Sequence, residues 1–460
     1  MGLFGAMNTA VSGIQAQAFA MQNISGNIAN SQTIAYKGIN TSFEELIPGV
    51  SAASQQTAGA VMASSVGTNG SQGAIQSASS RTAMAINGDG YFTVQSPLGF
   101  TGNTPNFSGI DAYTRRGDFS LNAQGYLVNG SGYYLEGTAI DPTTGSPVGT
   151  AVSPLQFQSN FLPANPTTTI TYGLNLPETP QTAAYSSSVA NSELLNPANF
   201  TAGHNPTTGG GGIVIGADAA TFLKESVDGG SVTAYTANGS PATLQLRWAK
   251  TDSIANGGSD TWNLFYQTDS AATGTNPAWQ NVGTNFVFDS AGQLSPAINS
   301  VALTGVTVNG VSLGNISLNS SAGAITQFAS TNGTPTVNNM QQNGYAAGEL
   351  QTISVSNTGT ISGTFTNGQN VALASVPLVH FNSPNNLINL DGGAYRATVD
   401  SGQALAGASG KIVGQSLEGS NTDIATEFTK LIVTQQAYSA NTKVITTANQ
   451  MSQDLMNILR

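Results

Sequence analysis

The sequence predicts a mainly β protein with an α-helix at each end. Apolar residues recur in a seven-residue pattern at both termini, and short alternating strands punctuated by glycine fill the interval between them. Composition is the third observation: only 8% of the 460 residues are charged, while 54 are glycine. We therefore expect a helical, coiled-coil-like domain built from both termini, a discontinuous β-domain, and one or two inserted β-domains.

The N-terminal pattern predicts a helix from about Leu3 to Asn30. Its apolar residues are spaced alternately four and three apart, which places them in one stripe along the helix, as in a coiled-coil seam. We assign this stripe to an assembly interface, with Met7, Val11, Ile14, Met21 and Ile28 as its candidate residues.

The stretch after this helix is dominated by small and polar residues. Ser, Ala, Gly, Gln and Thr fill residues 31–73, which predicts an extended or partly disordered connector with a firmer island at 43–46. From residue 74 the apolar period changes to two. The Asn-Gly-Asp-Gly tetrapeptide at 87–90 lies between two alternating runs and predicts a β-hairpin.

A second helix is predicted after residue 420. Ser420 and Asp423 resemble a capping box that supplies acceptors to the first free backbone amides. Because the chain offers no other helices to cover the two stripes, partner subunits are expected to complete their burial. The candidate interface residues on this helix are Ile424, Phe428, Leu431, Tyr438, Ile445, Met456 and Leu459.

These patterns give a nested domain order. The predicted domains are a terminal helical domain at 1–30 and 416–460, a connector at 31–73, a shared β-domain at 74–155 and 331–415, and an inserted β-domain or pair of domains at 156–330.

Composition excludes several functional classes. The chain has no cysteine and only two histidines, so we expect no disulfide, no thiol nucleophile, no Cys- or His-based metal site and no cofactor. Its 12 Lys and Arg are scattered and its net charge is −11, which argues against nucleic-acid binding. Asn and Gln interrupt the uncharged first 36 residues, so this segment is expected to be neither a signal peptide nor a membrane span.

Motifs for chemistry are weak, and we expect no catalytic residues. Residues 310–314 match G-x-S-x-G, but strand alternation continues through 315–318 where a nucleophile elbow needs a helix. Arg116-Gly117-Asp118 lies in a strand–turn motif, and the glycine-rich 407–411 lacks the Ser or Thr of a phosphate loop. An exported adhesin-like or hydrolase module remains as an alternative.

Four ordered motifs resemble those of bacterial flagellar rod and hook proteins. These are Asn-Ile-Ala-Asn at 27–30 with Ala-Tyr-Lys at 35–37, Ile-Asn-Gly-Asp-Gly-Tyr-Phe at 86–92, Tyr-Thr-Arg-Arg-Gly-Asp-Phe at 113–119, and Leu-Glu-Gly-Ser-Asn-Thr-Asp-Ile-Ala at 417–425. The inserted segment favours the hook-forming members over the shorter rod members. A rod or hook-associated axial component is the alternative within the family.

The resemblance implies a structural role without catalysis. Similar proteins polymerise into a curved tubular joint between rod and filament, with terminal helices forming an inner tube and inserted β-domains pointing outward. The implied partners are copies of the chain itself, a distal rod protein, a hook cap protein, a hook–filament junction protein and the flagellar type III export apparatus. The implied location is extracellular, in the flagellum, without membrane insertion.

Overall fold

The computed structural model describes residues 3–46, 59–142, 144–149, 151–157, 161–208 and 212–458. The chain divides into two compact units: Met1–Asn160 with Leu350–Arg460, and Phe161–Glu349. The α-helices of the described residues are α1 (Leu3–Ala29), α2 (Ala219–Lys224) and α3 (Ile424–Ile458). The two long helices agree with the helices predicted at the termini, and α2 was not predicted.

Strands make up most of the remaining regular structure. Those in the described residues are β1 (Ile39–Leu46), β2 (Ala60–Gly67), β3 (Ile75–Ser77), β4 (Met84–Asn87), β5 (Tyr91–Gln95), β6 (Pro97–Thr101), β7 (Thr104–Phe107), β8 (Ala112–Thr114), β9 (Ser120–Leu121), β10 (Leu127–Val128), β11 (Tyr134–Ala139), β12 (Ser153–Pro154), β13 (Phe161–Leu162), β14 (Thr169–Asn175), β15 (Ile213–Ile215), β16 (Val227–Tyr235), β17 (Pro241–Asp252), β18 (Asp260–Gln267), β19 (Pro277–Phe288), β20 (Ser300–Val308), β21 (Val311–Asn319), β22 (Ile325–Thr326), β23 (Thr336–Gln342), β24 (Gly348–Val355), β25 (Thr360–Phe365), β26 (Asn370–Ser375), β27 (Leu378–His380), β28 (Ile388–Leu390), β29 (Ala394–Arg396), β30 (Leu405–Ala406), β31 (Lys411–Gly414) and β32 (Ser416–Glu418).

The two terminal helices pack against each other in the first unit. The buried face of α1 consists mainly of small or polar residues: Ala10, Gly13, Ala16, Ala20, Ile24 and Asn27. At Gly13 an added Cβ would lie 2.9 Å from Nδ2 of Asn441 on α3. Small side chains thus allow the two backbones to approach closely.

Part of the predicted connector is a regular β-hairpin. Strands β1 and β2 pair antiparallel from Ile39 opposite Gly67 to Leu46 opposite Ala60. The hairpin packs on α1, where Asn23 Nδ2 donates to Oγ1 of Thr41 over 2.9 Å. At these residues the connector is extended, and the expectation of partial disorder is wrong, because contact with the helix orders a segment of weak local preference. Residues 47–58 lie outside the described part of the chain.

The predicted hairpin at 87–90 is also wrong. Strand β4 pairs with β31, whereas β5 pairs with β8, β11 and β27. Gly88 and Gly90 have φ of +95° and +143°, and the turn carries the chain from one sheet to another instead of folding it back. The glycine-rich segment 407–411 leads directly into β31, which begins at Lys411. The β-structure of this unit therefore combines strands from both ends of the sequence.

The second unit contains two five-stranded sheets. One has the order β20-β21-β14-β22 with β23 paired to β14, and the other has the order β15-β19-β18-β17-β16. A shared core includes the fully buried Trp248 and Trp262. Trp248 lies on β17 and Trp262 on β18, which are neighbours in the second sheet. The unit extends to Glu349 and not to 330, because β23 pairs with β14.

Candidate assembly surface

Large apolar side chains are exposed along both terminal helices. Phe4 is 80% exposed, and on α3 Val433 and Met456 are 60% and 65% exposed. A soluble monomer gains nothing from such exposure, and a contiguous apolar surface marks an interaction site. The exposed large apolar residues of the two helices are Phe4, Val11, Ile424, Phe428, Ile432, Val433, Val444, Met451, Leu455 and Met456.

The predicted stripe on α1 borders the contact with α3. The buried positions Ala10, Gly13, Ala20 and Asn27 each precede a residue of the predicted stripe by one position. One residue turns a helix by about 100°, so the stripe lies beside this contact. Its candidate residues Met7, Ile14, Met21 and Ile28 are half-buried, and Val11 is exposed.

The predicted residues on α3 fall into two groups. Leu431, Tyr438 and Ile445 are half-buried, whereas Ile424, Phe428 and Met456 are exposed. Leu459 lies outside the described residues. Both predicted stripes lie on the paired helices α1 and α3. Their role in assembly stays a prediction.

Several exposed apolar residues were missed by the sequence analysis. Val444 and Met451 line a groove together with Leu3 and Ala6 of α1. The heptad template retained one stripe of α3 and ignored the apolar residues beside it, among them Ile432, Val433, Val444, Met451 and Leu455. A count of all apolar positions around the helix would have found them.

A polar contact fixes the two helices at one level. Nδ2 of Asn27 donates to Oε2 of Glu427 over 3.0 Å, and Oδ1 of Asn27 accepts from the backbone N–H of Ile39 over 2.9 Å. Nζ of Lys430 donates to Oε1 of Glu427 over 2.6 Å. Asn27 and Glu427 are both buried. This network sets the register of the helices, because a slip would leave buried polar atoms unpaired.

A buried charge cluster lies next to the start of α3. Glu418 accepts from Nζ of Lys37 at 2.5 Å, from the N–H of Gly73 at 2.8 Å and from Nη1 of Arg115 at 3.5 Å. Burial lowers the pKa of Lys37, and the charge of Glu418 opposes that shift. The guanidinium of Arg115 also lies 5.5 Å from the ring centre of Tyr91. The cluster ties together four positions that are distant in sequence: Lys37, Gly73, Arg115 and Glu418.

The cap of α3 differs from the predicted capping box. Oδ1 of Asp423 accepts from the N–H of Thr426 over 2.7 Å, which lowers the pKa of Asp423. The hydroxyl of Ser420 instead bonds that of Thr422 over 2.7 Å. Asp423 is the N-cap because the helix begins at Ile424, three residues later than a Ser420 cap requires.

The sequence motifs for chemistry do not form a catalytic site. Ser312 lies in β21 opposite Thr307 of β20, so residues 310–314 belong to a β-hairpin without the helix of a nucleophile elbow. No group of three or more His, Cys, Asp or Glu suited to a metal occurs among the described residues. The helices in the described part of the chain are too short or too polar to cross a bilayer.

Comparison with known proteins gives three matching family models. Residues 85–178 match the flagellar hook protein FlgE/F/G D1 domain, residues 223–345 match the flagellar basal body protein FlaE D2 domain, and residues 413–458 match the flagellar basal body rod FlgEFG protein C-terminal model. The three matched segments lie in the order expected from the sequence motifs.

Full-length relatives share the same name. The flagellar hook protein FlgE of Brucella suis biovar 1 (strain 1330) is 31% identical over 467 residues, covering 100% of both chains. That of Salmonella typhimurium (strain LT2) is 26% identical over 461 residues, covering 98% of both. The crystal structure of Helicobacter pylori flagellar hook protein FlgE2 superposes with a TM-score of 0.50 at 16% identity, covering 75% of this chain and 100% of that chain.

The three matching family models show that the chain is a structural subunit of the bacterial flagellum. The chain belongs to the flagellar hook protein FlgE family. It is thus a hook structural protein and not an enzyme, and its place is the hook of the basal body, outside the cell.

Proposed function

We propose that the chain polymerises into the hook by burying the exposed faces of α1 and α3 against the helices of neighbouring subunits. The hook so formed is a flexible tubular joint that transmits torque from rod to filament. The ten exposed large apolar residues on the two helices carry this proposal. Burying one such side chain fully contributes about 1.5–3 kcal/mol, so a few of them suffice to hold subunits together.

The charge distribution of the helices supports close packing between copies. Helix α1 contains no charged residue, and α3 carries only Glu427, Lys430, Lys443 and Asp454. Like charges facing each other would oppose association of identical subunits. Both helices therefore suit a homopolymer. In addition to the exposed set, which includes Val11, the proposed assembly residues are Met7, Ile14, Met21, Ile28, Leu431, Tyr438, Ile445 and Leu459.

We further propose contacts at the two ends of the polymer. The distal rod protein, the hook cap protein, the hook–filament junction protein and the type III export apparatus are the partners implied by the family resemblance. The same helical faces would meet the helices of axial neighbours, because the first and last hook subunits otherwise leave them uncovered.

A charge placed in the helical faces tests the proposal. Phe428→Asp and Ile14→Asp should each yield folded, secreted monomers and non-motile cells, because an unpaired carboxylate cannot be buried in an apolar contact. Gln436→Asp, at an exposed polar position of α3, is the matched control and should polymerise normally. Sedimentation of purified protein and swimming assays provide the measurements.

Two outcomes would contradict the proposal. Normal polymers from Phe428→Asp and Ile14→Asp would show that these faces do not hold subunits together. Electron microscopy of a strain lacking the chain addresses the alternative axial role: a rod without a hook is expected, and a complete hook would contradict a hook subunit.

A further inference from the structure

A polar cleft lies at one end of the two sheets in the second unit. Strands β14, β17, β19 and β22 end beside it, and β18 begins there. The pairing of Asp260 with Phe288 and the bridge between Gln293 and Thr326 bring these strand ends together. The cleft has a volume of about 550 Å³. The charged residues that line it are Glu178, Glu193, Lys250, Asp260 and Asp289.

Lys250, the cation of the cleft, is already paired. Its Nζ donates to Oδ1 of Asp260 over 2.8 Å and to the backbone oxygen of Glu178 over 2.6 Å. Lys250 and Asp260 are both buried. Among the residues that the structure describes, the carboxylates of Glu178, Glu193 and Asp289 form no ion pair. The cleft therefore holds three carboxylates without a counter-ion.

A buried acceptor of the cleft also lacks a donor. Gln327 lines the cleft and is 6% exposed. Its Nε2 donates to the backbone oxygen of Glu178 over 3.5 Å, but its Oε1 has no hydrogen-bond partner in the described part of the chain. Buried polar atoms are normally satisfied, so a ligand of this cleft has to offer an N–H or O–H group to Oε1. Two half-exposed apolar side chains, Ile254 and Phe328, line the same cleft.

We propose that the cleft binds a guanidinium or primary ammonium group carried by a short aliphatic chain. Such a group donates several hydrogen bonds and compensates the carboxylates, whereas a neutral ligand would leave them unpaired. The aliphatic chain packs on Ile254, and the ring of Phe328 attracts a cation that approaches its face. A metal ion fits less well, because no group of three or more His, Cys, Asp or Glu suited to a metal occurs among the described residues.

Two sources supply this chemistry: a free aliphatic amine, and a lysine of a neighbouring copy of the chain. Lys224 is the candidate for the second source because it is exposed. The other two cations of the second unit, Arg247 and Lys250, already donate to groups within it. Contact with a neighbouring copy rests on the polymerisation proposed above, whereas binding of a free amine does not.

Thermal unfolding of the purified full-length chain tests the site with agmatine, which carries a guanidinium and an ammonium at the two ends of a short aliphatic chain. All three tryptophans lie in the second unit, so their fluorescence reports its unfolding. We expect Tm to rise along a saturating curve, by about 2–4 °C at roughly ten times the dissociation constant. Tetramethylammonium at equal ionic strength should give no such rise, because it has no N–H group for Oε1 of Gln327. The measurement uses unassembled chain, so it does not depend on polymerisation.

Cross-linking separates the two sources. Polymers assembled from equal parts of unlabelled and isotopically labelled chain are treated with a carbodiimide, which joins an amine to a carboxylate in contact with it. A cross-link from Lys224 to Glu193 or Asp289 between a labelled and an unlabelled peptide would assign the site to a neighbouring copy, and Lys224→Arg should remove it. Without this cross-link, a retained agmatine effect on Tm assigns the site to a free amine.

Matched variants decide whether this cleft is responsible. Glu193→Gln and Asp289→Asn should each abolish the agmatine-dependent rise. The turn at Asp289 should still fold in the variant, because Asn keeps the Oδ1 that accepts from the N–H groups of Ala291 and Gln293. Asp228→Asn, at an exposed carboxylate of the second unit outside the cleft, should retain the full rise. A wild-type Tm that agmatine does not change, or an equal rise in Glu193→Gln and Asp289→Asn, would overturn the proposal.

Discussion

The terminal helices expose many of their large apolar residues, whereas the second unit buries most of its own. In the second unit Trp248, Trp262 and Trp279 are all fully buried. On the helices the buried positions are mainly small or polar, as at Gly13, while Phe4 is 80% exposed. The second unit thus completes its own core. The helices pair closely but keep their largest apolar side chains available for other molecules.

This difference separates folding from assembly within one chain. A unit with a complete core tolerates changes to its surface, whereas a helix pair with an unfilled apolar face depends on neighbours. We therefore expect changes in the second unit to alter the stability of the monomer or the shape of the polymer. Changes on the helical faces should alter whether a polymer forms.

Deletion of the second unit should have the largest effect on the shape of the polymer. Leu162 pairs with Gly348, so the chain enters and leaves the unit at adjacent positions. Deleting residues 163–347 and joining the ends by a short Gly/Ser turn should leave export and tube formation intact. The second unit has few charges and many short polar side chains, which suit contacts between neighbouring subunits that slide as the tube bends. The tubes should be straighter or variable in curvature, and swimming impaired.

Electron micrographs of the deletion strain decide the outcome. Normally curved hooks would refute a sliding role, and a complete absence of tubes would assign assembly to the second unit. A deletion of only 176–324 is the informative control, because it leaves β14 paired with β22 and β23 but removes β21 and β20, the rest of that sheet. That variant should aggregate.

Truncating a buried tryptophan tests the self-contained core. Trp248→Ala should lower the free energy of unfolding by about 3–5 kcal/mol. The same truncation of an exposed ring, Phe4→Ala, should change monomer stability by less than about 0.5 kcal/mol. All three tryptophans lie in the second unit, so their fluorescence during denaturation reports that unit.

The two variants should have the opposite relative effects on polymerisation: Phe4→Ala should have the larger effect and Trp248→Ala the smaller. Phe4→Ala is expected to weaken polymerisation, whereas Trp248→Ala polymers should form below the unfolding temperature of the variant. Equal effects of both variants on polymerisation would mean that the helical faces and the core do not have separate roles.

Local patterns were sufficient to predict the helices and many strands, but not their partners. Apolar periodicity located α1 and α3 because it persists over several turns. It could not show that Gly13 meets Asn441, since that contact joins the two ends of the sequence. The Asn-Gly signal at 87–90 identified a turn but not that β4 pairs with β31.

For the same reason, local sequence patterns could not predict the buried charge cluster. Lys37, Arg115 and Glu418 are far apart in sequence, and each is unremarkable alone. Lys37 follows 36 uncharged residues, and this isolation is the one local signal that could have drawn attention to it. Long-range contacts decide whether such a residue is exposed or paired.

Neutralising Glu418 tests how much the buried charge cluster contributes to the stability of the first unit. Glu418→Gln removes the negative charge that pairs with Lys37 and Arg115 and leaves two buried cations without a counter-ion. We expect a loss of about 3–5 kcal/mol. Asp118→Asn in the half-exposed Arg116–Asp118 pair is the matched control and should cost under about 1 kcal/mol. Helical circular dichroism on heating measures both, and equal losses would contradict the role of the buried cluster.

The smallest expected effect is a pH dependence confined to the first unit. Burial and Asp111 raise the pKa of Glu136 from 4.5 to about 7, so the folded chain holds this proton more tightly than the unfolded chain. The resulting stabilisation is complete below about pH 4.5 and disappears as pH rises through about 7. Wild type should therefore lose more Tm than Glu136→Gln between these pH values, while Asp400→Asn should follow wild type. If Tm changed with pH to the same extent in wild type and in Glu136→Gln, Glu136 would not bind its proton more tightly in the folded chain, and the prediction would be wrong.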